Sequence, residues 1–345
     1  MSVRVVLVGC GRIAGYFHGP ILGNMPGAEL VAAVDADPDA RARATARTPG
    51  VTRFADWAPA LATMPLDAAV ICLPPALHAP AARDALAAGL HVYIEKPLAT
   101  TLADGQAICS AAEAAGRVAA AGFNFRFHPL IEDARTRIAR GELGEIIAVR
   151  SLFTAARRVL PGWKRERGLG GGVLADLGSH HFDVIPFLTG APFVEGSLAA
   201  SLSTAEDGEA ASVLGQLEGG TQVSMTVSQL TGHGTNRLEI LGEKGHLTVD
   251  LSAARPAALE RPPGRLARVH RMTARLRALT PAELLHNPGA EPSFGRALAA
   301  FVAAATGAQT DLATARDGLA VMRLVEEAEH AAETPAAPLE LEKAG

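Results

Sequence analysis

Val3-Arg4-Val5-Val6-Leu7-Val8-Gly9-Cys10-Gly11-Arg12-Ile13-Ala14 is the stretch on which the fold turns. Val3 to Val8 is apolar apart from Arg4 and shows little polar alternation, which is how a strand buried on both faces of a parallel sheet reads. Gly9 and Gly11 permit a tight turn and let backbone N–H groups approach a pyrophosphate. Arg12 and Ile13 then open a helix whose N-terminus attracts anions. Ala14 stands where a third glycine is common. Asp35 ends the next strand a little over 20 residues on, where a carboxylate can accept bonds from an adenosine ribose. A glycine turn and a helix-capping Asp would read the same way, so the neighbouring sequence has to decide.

Outward from this stretch the rhythm repeats. Residues 30–34, 69–73, 91–94 and 118–122 are further apolar runs, and 13–24, 38–47, 79–88 and 103–115 are helical by period and alanine content. Repeated βαβ units predict a doubly wound α/β domain over residues 1–122. From Phe127 the pattern changes to a helix at 129–140, a strand at 145–153, an Arg- and Gly-rich loop, a helix at 173–188 and strands between 194 and 250. Short Gly-bearing turns make neighbouring strands antiparallel, so residues 123–345 read as an α+β domain. Within it, 252–290 carries seven arginines against two glutamates. Leu266, Val269, Met272, Leu276 and Leu279 give that stretch helical spacing. A solvated edge helix, a subunit or lid element and an anionic-membrane contact all remain open for it. Ala-rich helices at 294–305 and 311–331 close the chain.

The 345 residues suit two domains with a cleft between them. With 48% hydrophobic and 20% charged residues the composition is that of an ordinary globular protein. A formal net charge of −4 argues against nucleic acid, and no apolar run approaches the roughly 18 to 20 residues of a membrane span. Cys10, Cys72 and Cys109 have neither CxxC nor zinc-ligand spacing, which predicts no metal and a reducing, cytoplasmic setting. Leu7-Val8-Gly9-Cys10 imitates a lipoprotein cleavage site, but six preceding residues leave no room for an apolar h-region of about 7 to 15.

Two further motifs make the dinucleotide domain recognisable. One is Gly89-Leu90-His91-Val92-Tyr93-Ile94-Glu95-Lys96-Pro97. The other is Gly170-Gly171-Gly172-Val173-Leu174-Ala175-Asp176-Leu177-Gly178-Ser179-His180-His181-Phe182-Asp183. Together with Leu73-Pro74-Pro75 leading to His78, and Gly122-Phe123-Asn124-Phe125-Arg126-Phe127, they resemble the glucose-fructose oxidoreductase and inositol dehydrogenase (Gfo/Idh/MocA) family over residues 3–250. The resemblance implies a Rossmann domain, a second domain with a mostly antiparallel open sheet, and homodimers or homotetramers. It implies NAD or NADP, no metal, and sugar, nucleotide-sugar, cyclitol or related polyol substrates. Carried over by motif, Gly9, Gly11, Arg12, Ile13 and Asp35 bind the cofactor, bordered further along by Pro74, His78, Glu95 and Lys96. Lys96, Asp176 and His180 would be catalytic, and Asn124, Arg126 and Trp163 would border the substrate together with Lys96 and His180. A cis Lys96-Pro97 bond is implied as well. Ala14 for the third glycine, a displaced His18 and the Arg-rich insertion depart from the family pattern.

The residues support that chemistry independently. Oxidising an alcohol needs a base on the hydroxyl and a partner for the developing oxyanion. His180 suits the first role and Lys96 the second. On a regular helix His180 lies about 40° around from Asp176 and His181 about 140°, which makes His180 the expected partner of Asp176. Asp183 shares that face with its role undecided. Asp35 repels the extra phosphate of NADP and favours NAD, although Arg41 and Arg43 keep NADP open. His18 and His78 could border the site or simply cap loops. Arg157, Arg158, Lys164, Arg165 and Arg167 crowd around Trp163, either as solvated loop or as a grip on an anionic substrate. A non-catalytic dinucleotide or sugar sensor, and an enzyme that cleaves glycosides through transient oxidation, are the competing functions.

Overall fold

The structure is a computed structural model describing residues 2–252, 258–260 and 291–334. Its first layer is a six-stranded parallel sheet built from β1 (Val3–Val8), β2 (Ala28–Val34), β3 (Thr52–Phe54), β4 (Ala68–Ile71), β5 (His91–Ile94) and β6 (Ala119–Ala121). The strand order is β3-β2-β1-β4-β5-β6. Direction along the sheet reverses beside β1, so the loops after β1 and β4 diverge and leave a crevice at the carboxyl edge. Helices α1 (Gly19–Leu22), α2 (Pro38–Ala44), α3 (Trp57–Thr63), α4 (His78–Ala87) and α5 (Leu102–Ala115) make the crossovers. The sequence reading misses β3 and α3. Three residues, Thr52 and Arg53 exposed and Phe54 half-buried, carry no period, and β3 exists because it pairs with Ala32–Val34.

The second layer follows as α6 (Pro129–Ala139), β7 (Ile146–Ala156), α7 (Gly162–Arg165) and α8 (Ser179–Thr189). Its later strands are β8 (Ala199–Ala205), β9 (Gly208–Gln216), β10 (Gln222–Thr231), β11 (Thr235–Gly242), β12 (Gly245–Asp250) and β13 (Ala258–Glu260). The seven strands run in the order β13-β12-β11-β7-β10-β9-β8. Only β7 and β10 pair parallel; the chain reaches β10 by the long excursion through α8, β8 and β9, so no short turn constrains that pair. Helices α6 and α8 cover one face, packing Ile131, Val184, Ile185 and Leu188 on Val149, Val223, Leu238 and Ile240. The other face is open at Arg150, Leu152, Leu214 and Thr226.

The last two helices, α9 (Ser293–Ala305) and α10 (Ala315–Glu333), return to the first sheet. Leu298 and Phe301 of α9 join the core of Val5 and Leu7, whereas Leu319 and Val321 of α10 join that of Val6 and Val8. Successive side chains of β1 point to opposite faces, so each helix closes one of them. The amphipathic helix expected over 266–279 lies outside the described residues. No described helix is long and apolar enough to cross a membrane.

Candidate active site

At Gly9 the backbone takes φ +88°, and a Cβ would lie 2.7 Å from the Cys72 carbonyl carbon. Only glycine lets the turn pass so close to the end of β4. Gly11 differs, since a Cβ there would meet nothing within 4 Å. The protein's own packing does not demand that glycine, and its bare backbone faces open space, as contact with a pyrophosphate requires. Asp35 accepts the Cys10 N–H at 2.7 Å and the Asp37 N–H at 2.9 Å, fastening the turn to the end of β2. Each of its oxygens keeps a lone pair for another donor. Arg41 folds back onto the carbonyls of Asp35 and Ala36, and Arg43 faces Asp37 at 3.5 Å. Arg12 is exposed, and Ile13 and Leu77 present apolar surface beside the crevice. These residues fit a dinucleotide lying along this edge.

Pro74 leads the loop after β4 into α4. His78 is 1% exposed, with Nδ1 2.8 Å from the Pro97 carbonyl and Nε2 2.8 Å from the Leu73 carbonyl. Burial lowers its pKa. Its ring braces the loops after β4 and β5 from beneath. His18 is wholly buried against Phe294 and Tyr93, its Nε2 2.7 Å from Glu95 Oε1. Glu95 therefore supports the Lys96 loop from within. The Lys96-Pro97 peptide is cis.

Lys96 and Asp176 do meet. Lys96 Nζ donates to the Asp176 carbonyl at 2.5 Å and stands 3.3 Å from Asp176 Oδ1. The same Oδ1 receives Lys164 Nζ at 2.5 Å, and Gln229 Nε2 reaches Oδ2 at 3.2 Å. Asp176 is 7% exposed; burial alone would raise its pKa, but the two ammonium groups hold it below the usual carboxylate range. Burial, with Lys96 and Arg158 nearby, lowers the pKa of Lys164 below that of a free lysine against the pull of Asp176.

His180 stacks on Phe125 at 4.4 Å between centroids, with Phe123 and Phe153 around it. Its Nδ1 is buried without a partner, Nε2 has no hydrogen bond within the described residues, and the residue as a whole is half-buried. Burial first, then the charge of Lys96, keep its pKa well below the usual value, so it stands neutral with an acceptor free. No hydrogen bond joins it to Asp176 among the described residues, contrary to the partnership expected from regular helix geometry. The helix over 173–189 opens with a π turn at Leu174–Gly178, and the Asp176 carboxylate is occupied by Lys96, Lys164 and Gln229 instead. His181 is fully buried and bonds Asn236 Oδ1 at 2.9 Å, with its pKa lowered to about 4 by burial.

Glycines set this helix against the loop before it. A Cβ on Gly171 would lie 2.4 Å from the Trp163 carbonyl oxygen. The Gly172 N–H bonds the Lys164 carbonyl at 2.9 Å, so Lys164 is delivered to Asp176 by backbone contact. Glu209 of β9 takes the Val173 N–H at 2.9 Å and Arg167 Nη2 at 2.8 Å, tying helix and loop together. The sequence reading counts Lys164 only as part of a basic cluster and misses Gln229 and Glu209. Its available signal was the adjacency of Lys164 to Trp163 and the glycine run; the two strand residues gave none, because strand register decides where they point.

The remaining expectations fare unevenly. Asn124 is 2% exposed and donates to Ser293 Oγ at 2.6 Å. Arg126 forms a two-pronged pair with Asp183 at 2.6 and 2.9 Å and faces Asp317 at 3.5 Å. Both are engaged by partners inside the protein. Trp163 is half-buried with Lys164 Nζ 5.4 Å from its ring centroid, so it does adjoin the site. Of the basic cluster, Arg157 pairs with Asp207 and Arg167 with Glu209, while Arg158 and Arg165 have no ion pair among the described residues.

Known proteins resemble this chain in both domains. Residues 3–123 match the oxidoreductase family with an NAD-binding Rossmann fold, and residues 131–248 match the GFO/IDH/MocA C-terminal domain. The chain is 30% identical over 277 residues to the dTDP-3,4-didehydro-2,6-dideoxy-alpha-D-glucose 3-reductase of Streptomyces violaceoruber, covering 78% of this chain and 80% of that protein. It is 31% identical over 270 residues to the inositol 2-dehydrogenase of Rhizobium meliloti (strain 1021), covering 75% and 78%. Several other curated relatives are matched over little more than half of their own length. Among solved structures, the WlbA dehydrogenase from Bordetella pertussis in complex with NADH and UDP-GlcNAcA superposes with a TM-score of 0.81 at 25% identity, covering 96% of each chain. The two matched domains, with the relatives aligned over three quarters of the chain, make it a member of the GFO/IDH/MocA family of NAD-dependent oxidoreductases.

Proposed function

We propose that the protein transfers a hydride between a nicotinamide and the carbinol or keto carbon of a sugar, nucleotide sugar, cyclitol or related polyol. The observation that carries this reading is the neutral His180, with Nε2 open, beside the Lys96–Asp176–Lys164 cluster at the carboxyl edge of the parallel sheet. NAD supplies the hydride acceptor when bound; Gly9, Gly11, Arg12 and Ile13 would hold its phosphates and Asp35 its ribose. His180 Nε2 accepts the hydroxyl proton, which its depressed pKa permits across the neutral range. Lys96 holds the oxygen on which negative charge develops. In the reverse direction the same groups return the proton to a carbonyl. Asp35 favours NAD over NADP, since its carboxylate stands on the glycine turn.

Two finer features belong to this proposal. Arg158 and Arg165, unpaired among the described residues near Lys164, suit a substrate that carries an anionic group. The open sheet face at Leu152 and Leu214 suits contact with a second copy, giving a dimer or tetramer. Three free cysteines are compatible with the cytoplasm. A panel of polyols, sugar acids and nucleotide sugars, followed by nicotinamide absorbance in both directions, tests the activity. Turnover of a ring hydroxyl supports the reading, and binding of NADH without turnover of any of them would overturn it in favour of a sensor.

A further inference from the structure

We infer that Lys164 is a working member of the site, the counter-cation that holds Asp176 while Lys96 turns to the substrate oxygen. The inference rests on the oxidoreductase reading above. If Lys96 were the sole partner of Asp176, moving its ammonium to a substrate would strand a buried carboxylate, and such a charge resists being left alone. Here Lys164 lies nearer to Oδ1, at 2.5 Å, than Lys96 does, at 3.3 Å, and Gln229 satisfies Oδ2. Two lysines on one carboxylate leave one ammonium to spare.

The position of Lys164 is built rather than incidental. Gly172 binds its carbonyl, Gly171 admits its backbone where a side chain would clash, and the Arg167–Glu209 pair pins the loop a few residues on. The groups facing His180 come from every surrounding segment. Lys96 lies at the end of β5, Asp176 and His181 on its own helix, Lys164 on α7, and Phe125 and Phe153 cover the ring. Glu95 is engaged with His18. Removing the charge of Lys164 therefore has two effects of one sign. A positive neighbour is lost, and Asp176 is left with less neutralisation, so the imidazolium of His180 becomes easier to form.

Lys164→Met and Lys164→Arg test this without a known substrate. Histidine ring proton NMR of the NADH-loaded protein, with His180→Asn to assign the signal, reads the protonation of His180. The expected result is a titration displaced upward by about one pH unit in Lys164→Met and close to wild type in Lys164→Arg. On a substrate from the panel, Lys164→Met should lower kcat at least about tenfold with little change in KM, and move the acid limb of the pH profile upward. Arginine should restore most of the rate. Retained NADH affinity checks that the variant is folded; if it is lost in Lys164→Met, Lys164→Gln takes its place. An unmoved His180 titration, or a wild-type rate and profile in the methionine variant, overturns the role of Lys164. Absence of wild-type turnover on every substrate would instead count against the oxidoreductase reading, and the NMR arm would still decide whether Lys164 governs the charge at His180.

Discussion

Two adjacent histidines occupy opposite environments. His180 keeps Nε2 open at the site, whereas His181 is enclosed and bonded to Asn236. His180→Ala should therefore reduce kcat by at least about 100-fold while leaving NADH binding near wild type. His181→Ala should instead leave most of the turnover and lower stability by about 2–4 kcal/mol, through the lost hydrogen bond and the cavity against Phe153. Paired kinetics and thermal melts separate the two, and inverted outcomes would remove His180 as the base. Lys96→Met should match His180→Ala in kcat, since proton and oxyanion belong to one carbon–oxygen group. Because His180 is held neutral by burial and by positive neighbours, the base of the proposed reaction is already in its accepting form at pH 7.

At the level of elements, the site is a junction between the Lys96 loop after β5 and the helix over 173–189, with α7 wedged against both. Gly171 is the contact that allows the wedge. Gly171→Ala puts a methyl group into the backbone of Trp163 and Lys164, and backbone cannot step aside as a flexible side chain can. The expected result is a kcat reduced by about tenfold or more through displacement of Lys164, with cofactor affinity preserved because the glycine turn after β1 is remote. Steady-state kinetics with NADH titration checks it; a wild-type kcat would mean that α7 does not set the geometry of Asp176. The π turn at Leu174–Gly178 lies in the same junction, and its Asp176 faces both Lys96 and Lys164.

Across the whole molecule, Arg126 joins the layers. It lies just after β6, binds Asp183 on α8 and faces Asp317 on α10, whose other side packs on the first sheet. Asp183 is fully enclosed, and burial raises its pKa to about 6 despite Arg126. Folding thus takes up a proton at Asp183 between the folded value and the lower unfolded one, so this carboxyl disfavours the native state above about pH 6 and ceases to do so in acid. Arg126→Met leaves the carboxylate unpaired and should cost about 3–5 kcal/mol at pH 7. Without Arg126 the carboxyl titrates above its wild-type value, so the gap from wild type should narrow as the pH falls toward 6 and level off below it. Thermal melts from pH 8 to pH 5 measure this, and a gap that widens in acid would contradict the buried pair.

Much of the fold was legible because burial on both faces leaves an unmistakable apolar run. Val5 to Val8, the glycine turn and the Ala-rich crossovers define a parallel sheet from local sequence, and Glu95-Lys96-Pro97 and Asp176 to His180 mark the chemistry. Tertiary structure alone decided the partners. Asp176 takes Lys96, Lys164 and Gln229 from three separate segments. Arg126 and Asn124, which read as substrate residues, are engaged by Asp183 and Ser293. Periodicity reports which face of an element is buried, but not which charged group arrives opposite it. That depends on strand register and on helices contributed from the far end of the chain.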